Sequence, residues 1–117
     1  MSSLCFDLDD TICFPNHEYS DAENKYGKAK PNLPIIKSMQ KLHDRGDYII
    51  IYTARRMLTH KGDLNKIQNE VGNITRTWLT YYNVPYDELI FGKPYAELYV
   101  DDKGTNLKDF DKWVNSI

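Results

Sequence analysis

The sequence predicts an α/β fold, a Rossmann-like three-layer α/β/α domain with a small central parallel sheet. Short apolar runs alternate with longer segments of helical periodicity, which is the pattern of parallel strands joined by crossover helices. The 117 residues are 41% hydrophobic and 27% charged, as in ordinary globular proteins. A chain of this length buries one core, so we expect a single domain over residues 1–117.

Four apolar runs predict the strands. Leu-Cys-Phe at 4–6 is the first, and Tyr-Ile-Ile-Ile-Tyr-Thr at 48–53 is the continuous run expected of a buried parallel strand. Glu-Leu-Ile-Phe at 88–91 and Glu-Leu-Tyr-Val at 97–100 predict two more. Right-handed crossovers between parallel strands then determine most of the topology.

Three segments have the apolar spacing of amphipathic helices. They lie within residues 31–46, 63–83 and 106–117. Asp63 and Asn106 stand at the starts of the last two, where a short polar side chain caps the first free N–H groups. With the strands, the predicted order is β, loop, α, β, α, β, β, α.

The stretch between the first strand and the first helix, residues 13–32, has no clear periodicity. It is polar, contains two prolines and follows an acidic cluster. A loop this long in a small domain is more often functional than idle. We therefore expect it to take part in the site.

Polar side chains follow the carboxyl end of every predicted strand. In a parallel sheet these ends lie along one edge, which is where open α/β folds bind ligands. Residues far apart in the chain should therefore converge there. They are Asp7, Asp9, Thr53, Arg55, Arg56, Lys93, Asp101, Asp102 and Lys103.

The chemistry of this set indicates a metal and a phosphoryl group. Several carboxylates in one cleft repel one another and resist ionisation, and a divalent cation relieves that repulsion. Mg²⁺ prefers oxygen ligands and usually shares them with a substrate phosphate. Lysine, arginine and hydroxyl groups beside the metal are suited to hold phosphoryl oxygens.

Four motifs in this order resemble those of the haloacid dehalogenase-like (HAD) phosphohydrolases. Asp-Leu-Asp-Asp-Thr at 7–11 resembles the first motif, Asp-x-Asp-x-Thr after a strand. Ile-Ile-Ile-Tyr-Thr at 49–53 resembles the second, Lys93 the third, and Leu-Tyr-Val-Asp-Asp at 98–102 the fourth. The resemblance covers nearly the whole chain and implies a HAD-like fold.

The resemblance implies a role for each aspartate. Asp7 would be the nucleophile that forms an aspartyl-phosphate, and Asp9 would protonate the leaving group and then activate water. Mg²⁺ would be bound by the Asp7 carboxylate, the Asp9 backbone carbonyl, and either Asp101 or Asp102. Asp10, between the motif residues, is expected to be a loop or capping residue.

Other polar residues have roles around the phosphate. The resemblance implies that Thr53 and Lys93 hold phosphoryl oxygens, with Lys93 also offsetting the charge of the nucleophile. Arg55 either reaches a substrate phosphate or is a solvated arginine at a helix start. Tyr95, just past Lys93, is a candidate substrate contact, and Tyr19 and Tyr26 in the long loop are further tyrosines to test.

The chain has no room for the cap domain that many HAD enzymes carry. It resembles a capless member with a flap at about residues 12–32. Ala-Lys-Pro-Asn-Leu-Pro-Ile-Ile at 29–36 and the motif stretches resemble small phosphatases of bacterial capsule and surface-polysaccharide biosynthesis. That resemblance implies a sugar phosphate or similar small substrate. Capless members act on large substrates or close their sites with a neighbouring subunit, which leaves room for a homo-oligomer.

Two alternatives remain open. A nucleic-acid 3′-phosphatase of the polynucleotide kinase-phosphatase type shares the fold and has a motif similar to Thr-Ala-Arg at 53–55. The net charge of −2 and the lack of interleaved basic and aromatic residues argue against a nucleic-acid partner. A phosphorylation-switch receiver domain needs an aspartate after its middle strand, where this chain has Thr53.

The N-terminal residues show no targeting pattern. Residues 1–10 lack a basic region followed by an apolar stretch. No apolar run approaches the ~18 residues of a membrane span. We therefore expect a cytoplasmic protein without a membrane partner.

Overall fold

The computed structural model describes residues 2–117, which form three strands of a parallel sheet, a small antiparallel ribbon and four helices. The strands are β1 (Ser3–Phe6), β2 (Cys13–Phe14), β3 (Lys30–Pro31), β4 (Tyr48–Thr53) and β5 (Glu88–Phe91). The helices are α1 (Ala22–Lys25), α2 (Leu33–Asp44), α3 (Leu64–Tyr81) and α4 (Leu107–Asn115). The predicted α/β class with a parallel sheet flanked by helices is confirmed.

β4 is the middle strand of the parallel sheet, with β1 on one side and β5 on the other. Phe6 lies beside Ile51, and Ile51 lies beside Leu89. All three strands therefore end at the same side, which we call the carboxyl edge. The opposite side, where the strands begin, is the amino edge.

The core lies against one face of this sheet. Side chains alternate between the two faces of a strand, and in β4 Ile49, Ile51 and Thr53 are buried while Tyr48 is exposed. All three long helices contribute to the same cluster. Its helical members include Met39 and Leu42 of α2, Trp78 and Leu79 of α3, and Phe110 and Val114 of α4.

The three long helices agree with their sequence signals. The Asp63 side chain accepts a hydrogen bond from the Lys66 N–H at 3.2 Å, and Asn106 accepts one from the Asp109 N–H at 2.9 Å. Both predicted caps are confirmed, and each satisfies a donor that the helix itself leaves free. Within residues 2–117, no helix combines the length and apolar character needed to cross a bilayer.

The flap, residues 12–32, is more ordered than its sequence suggests. β2 and β3 pair as an antiparallel ribbon, and the single-turn helix α1 lies between them. The Trp78 indole N–H donates to the Ala29 carbonyl oxygen at 3.0 Å. The flap is therefore tied to α3.

The strand predicted at 97–100 is not formed, which corrects the sequence interpretation. Leu98 and Val100 are 75% and 86% exposed. The Tyr99 hydroxyl donates to the Pro94 carbonyl oxygen at 2.5 Å and accepts from the Ala96 N–H at 3.2 Å. The segment folds back on itself instead of pairing with the sheet, and apolar composition alone does not make a strand without a partner.

Candidate active site

Asp7 directly follows β1 and lies at the carboxyl edge. Its Oδ1 is 3.8 Å from the Lys93 Nζ, and the Thr11 hydroxyl donates to its Oδ2 at 3.5 Å. Burial raises the pKa of Asp7 above its usual value, although Lys93 and the Leu8 amide act in the opposite direction. Its side chain is 38% exposed, so the carboxylate combines a raised basicity with access for a reactant.

Asp9 lies two residues further on, and its carboxylate is directed toward Arg55. The guanidinium donates from Nη2 to Oδ1 at 2.6 Å and from Nε to Oδ2 at 3.1 Å. This two-point geometry fixes orientation as well as charge. Asp7 and Asp9 therefore have different partners, one a lysine at longer range and the other a bound arginine.

A tight turn after Leu8 places the two aspartates. The Leu8 carbonyl oxygen accepts hydrogen bonds from the N–H groups of Ile12 and Cys13 at 2.8 and 3.2 Å. Asp10 has φ of 65°, in the left-handed region that aspartate tolerates better than most residues. Asp10 is a loop residue, as expected.

Thr53 and Lys93 are connected where β4 and β5 end. The Thr53 carbonyl oxygen accepts from the N–H groups of Gly92 and Lys93 at 3.2 and 3.1 Å. Gly92 has φ of 104°, and a Cβ there would lie 2.9 Å from Leu64 Cδ2. A glycine at 92 thus lets the chain bring Lys93 to Asp7.

The Thr53 side chain is buried, with the residue 1% exposed. Its hydroxyl accepts a hydrogen bond from the Arg55 N–H at 3.0 Å. Thr53 therefore lies at the predicted edge, beside the start of the loop that carries Arg55.

Asp101 and Asp102 are not brought to this cluster. Asp101 Oδ1 accepts from the N–H groups of Lys103 and Gly104 at 2.8 and 2.5 Å, and these bonds lower the pKa of Asp101. Among residues 2–117, no three carboxylate, imidazole or thiol groups lie close enough together to bind a metal ion. The magnesium ligand set implied by the resemblance is therefore not assembled in this arrangement of the chain.

Of the two candidate substrate contacts, Arg55 differs from both of its expected roles, while the contact expected of Tyr95 stays a prediction. Arg55 is 5% exposed and its guanidinium is bound by protein groups, so it offers no free contact to a substrate phosphate. Tyr95 is 59% exposed. It is Tyr99 that lies against Lys93, with the Nζ 4.3 Å from the ring centroid.

Three further residues surround Arg55. Thr75 of α3 accepts a hydrogen bond from Arg55 Nη1 at 2.9 Å, the Tyr26 ring centroid is 4.2 Å from its Cζ, and the Cys13 thiol is 3.6 Å from Nη2. Burial raises the pKa of Cys13, and the Asp9 carboxylate adds to the shift, so this group remains a thiol. In the sequence, the signal for this cluster is Thr75, a polar residue within the apolar face of α3.

No protein-family model matches this chain, and no curated protein matches it significantly. Two similar solved structures are of the Pnkp1/Rnl/Hen1 complex, one of them described as an RNA repair complex. They are 19% and 18% identical, cover 77% and 84% of this chain and 25% and 30% of theirs, and have TM-scores of 0.56 and 0.58. This likeness shows the fold alone.

A crystal structure of a structural-genomics target from Vibrio cholerae is much more similar. It is 31% identical, the alignment covers 99% of this chain and 98% of that chain, and the TM-score is 0.78. With this identity over nearly the full length of both proteins, the chain belongs to the same family as the Vibrio cholerae protein.

Proposed function

We propose that the protein is a HAD-type phosphate monoester hydrolase that works through an aspartyl-phosphate on Asp7. The observation that carries this proposal is the state of the Asp7 carboxylate. It lies at the carboxyl edge with its pKa raised by burial, 3.8 Å from a lysine ammonium, and part of it faces solvent. A basic, accessible carboxylate beside a cation is suited to attack a phosphorus atom.

In the first step, an Asp7 oxygen forms a bond to phosphorus and the bond from phosphorus to the ester oxygen breaks. The leaving alkoxide takes a proton from the Asp9 carboxylic acid. Asp9 is then a carboxylate, the form that pairs with the Arg55 guanidinium.

In the second step, water attacks the phosphorus of the aspartyl-phosphate. Asp9 removes the proton from this water, and the bond from phosphorus to Asp7 breaks. Inorganic phosphate leaves, and both aspartates return to their starting states. One residue therefore acts as acid and then as base.

Charge is the main obstacle to this chemistry. A phosphate dianion entering beside ionised Asp7 meets repulsion, and Lys93 supplies one compensating cation. We therefore propose Mg²⁺ as cofactor, because it would neutralise the remaining charge on the phosphoryl oxygens. The Asp7 carboxylate, the Asp9 carbonyl and Asp101 or Asp102 are its proposed ligands, which requires residues 94–104 to adopt another arrangement.

The proposed substrate is a small phosphorylated metabolite, a sugar phosphate or similar building block of capsule or surface polysaccharide. The support is the resemblance of the motif stretches and the short flap, which leaves the Asp7 side of the cleft open. A homo-oligomer whose neighbouring subunit completes the cleft is part of this proposal, and light scattering of the purified protein tests it.

The decisive experiment is phosphate release from a panel of phosphorylated sugars, amino alcohols and nucleotides, with Mg²⁺ or with EDTA. We expect release from small monoesters with Mg²⁺, loss in EDTA and recovery when Mg²⁺ is restored. Acid-quenched reactions should contain a phosphorylated peptide that includes Asp7. Full activity in excess EDTA would refute the cofactor, and no release from any substrate would refute the function.

A nucleic-acid 3′-phosphatase is the second candidate. It is favoured by the fold similarity to chains of the RNA repair complex, while the net charge of −2 argues against it. A 3′-phosphorylated oligonucleotide in the same panel separates the two, since its hydrolysis should weaken steeply as salt increases.

A receiver domain would behave differently in this panel. It would retain a phosphoryl group from a small donor and release little phosphate. The central strand β4 ends at Thr53, where a receiver needs its aspartate, so we expect turnover instead.

A further inference from the structure

Arg55 is surrounded by protein groups on every side that the structure describes. Two of its nitrogens donate to the two Asp9 oxygens at 2.6 and 3.1 Å, and the third donates to the Thr75 hydroxyl at 2.9 Å. The residue is 5% exposed. A guanidinium this deeply bound acts on its protein partners and not on a ligand in solvent.

The position of Arg55 is itself determined by two other elements. Thr75 lies on α3 and is 1% exposed. Tyr26, 5% exposed, belongs to the flap and places its ring 4.2 Å from the Arg55 Cζ. The Arg55 guanidinium therefore lies where β1, β4, α3 and the flap meet.

An aspartate side chain alone has several rotamers of similar energy. Proton transfer requires the carboxyl oxygen within about 2.6–3.2 Å of the reacting oxygen, so the rotamer of Asp9 determines whether it can act. Two donors from one rigid guanidinium select a single orientation. Lysine at the same position could supply charge but not this fork.

We propose that Arg55 is a positioning residue that holds the Asp9 carboxylate in its working orientation. The flap, which contacts Arg55, then affects the reacting groups through Arg55. This inference rests on the proposed phosphatase function. It differs from the contact with a substrate phosphate that Thr-Ala-Arg suggests in sequence, because Arg55 then acts only through Asp9.

The two roles predict different kinetics. A residue that binds the substrate phosphate contributes to every substrate, so its loss raises KM whether or not Asp9 is present. A residue that positions Asp9 contributes to proton transfer, so its loss lowers kcat and has no further effect once Asp9 is replaced. A double-mutant cycle separates them.

The test compares Arg55→Lys in the wild-type and Asp9→Asn backgrounds. The substrates are β-glycerol phosphate, whose leaving group needs a proton, and p-nitrophenyl phosphate, whose leaving group does not. For β-glycerol phosphate we expect Arg55→Lys to lower kcat by roughly 10²-fold and to change KM by less than about threefold. In the Asp9→Asn background the same change should alter kcat by less than about threefold.

Rapid mixing with p-nitrophenyl phosphate adds a signature that a merely structural role would not produce. Arg55→Lys should release a burst of p-nitrophenol, because the first step proceeds and the aspartyl-phosphate waits for water attack. Arg45→Lys is the matched control, since Arg45 also pairs with an aspartate, Asp47, at 2.5 Å but at the amino edge. It should leave both kcat values unchanged and show no burst.

Thr75→Val keeps the experiment informative if Arg55→Lys fails to fold. It removes one hydrogen bond to the guanidinium and should give a weaker form of the same signature. Equal increases in KM for both substrates, with additive losses in the Asp9→Asn background, would overturn the inference. Wild-type protein that releases no phosphate, or Asp7→Asn protein that still does, would count against the proposed function instead.

Discussion

Both edges of the parallel sheet carry aspartates, but the hydrogen-bond partners of their carboxylate oxygens differ between the two edges. At the amino edge, Asp47 accepts the Ser2 N–H at 2.8 Å and Arg45 Nε at 2.5 Å. Asp87 accepts the Ile49 N–H at 2.8 Å. These bonds satisfy the carboxylates and connect the starts of neighbouring strands.

The pKa values follow this difference. The Arg45 guanidinium, helped by the Ser2 N–H, lowers the pKa of Asp47, and the Ile49 N–H with His43 lowers the pKa of Asp87. At the carboxyl edge, burial raises the pKa of Asp7.

Backbone polarity explains why the edges differ. The first residues of parallel strands present N–H groups, which are ready partners for a carboxylate, while the last residues present carbonyl oxygens, which are not. An aspartate at the amino edge is therefore a structural residue. An aspartate at the carboxyl edge is instead available to pair with a cation or to react. Asp7 and Asp9 are for this reason the candidates for catalysis.

The largest expected effect is on turnover, and it is seen by replacing one aspartate at each edge with asparagine in two separate variants. Asp7→Asn should lower turnover by roughly 10³–10⁶-fold, because it removes the nucleophile, and the protein should stay folded. Asp87→Asn is the matched control and should keep turnover while its melting temperature falls. Phosphate release and thermal unfolding measured on both variants test this contrast. Near-normal turnover in Asp7→Asn would remove the nucleophile assignment.

Asp9→Asn should have the next largest effect, a loss of about 10²–10⁴-fold in turnover of an alkyl phosphate. With p-nitrophenyl phosphate the first step should suffer less, because that leaving group needs little protonation. The aspartyl-phosphate should then accumulate and produce a burst in stopped-flow measurements. If turnover of both substrates falls by the same factor and no burst appears, another residue transfers the proton.

Lys93→Gln should cost roughly 10²-fold in kcat/KM, since it removes the cation beside Asp7. Lys93 lowers the pKa of Asp7, so its loss should raise that pKa further. Asp7 must be ionised to attack, and the acid limb of the rate profile should therefore move to higher pH. An acid limb that stays in place or moves to lower pH would show that Lys93 does not act on Asp7. Lys103→Gln is the charge-matched control.

Much of this architecture follows from local signals. The strands β1, β4 and β5 and the caps Asp63 and Asn106 are readable from apolar runs and single polar residues. The approach of Asp7 to Lys93 follows from strand order alone, because parallel strands end at one edge.

The remainder depends on contacts that no local pattern encodes. The run at 97–100 has the composition of a strand, yet strand formation requires an available partner edge. Arg55 and Asp9 are 46 positions apart, and their pairing depends on how a buried loop and α3 enclose one guanidinium. In the sequence, Asp47 and Asp87 resemble ordinary turn residues, because their N–H partners, Ser2 and Ile49, are distant along the chain.

The smallest expected effect is on thermal stability. The pH dependence of stability should have opposite signs for an aspartate at the amino edge and an aspartate at the carboxyl edge. The folded pKa of Asp47 is lowered, so its contribution is fully present above the unfolded value of about 3.9 and is lost as pH falls through the folded value. Asp47→Asn should melt a few degrees below wild type at neutral pH, and the gap should close below about pH 4.

Asp7 should show the opposite sign. Its folded pKa is raised, so the folded state favours the protonated form, and ionised Asp7 weakens the fold as pH rises through the folded pKa. Asp7→Asn should therefore melt at or above the wild-type temperature at neutral pH, with the difference disappearing in acid. Thermal unfolding from pH 3 to pH 8 in EDTA measures both variants without bound metal. A fall in melting temperature for both at neutral pH would mean that the carboxyl-edge aspartate is as well satisfied as those at the amino edge.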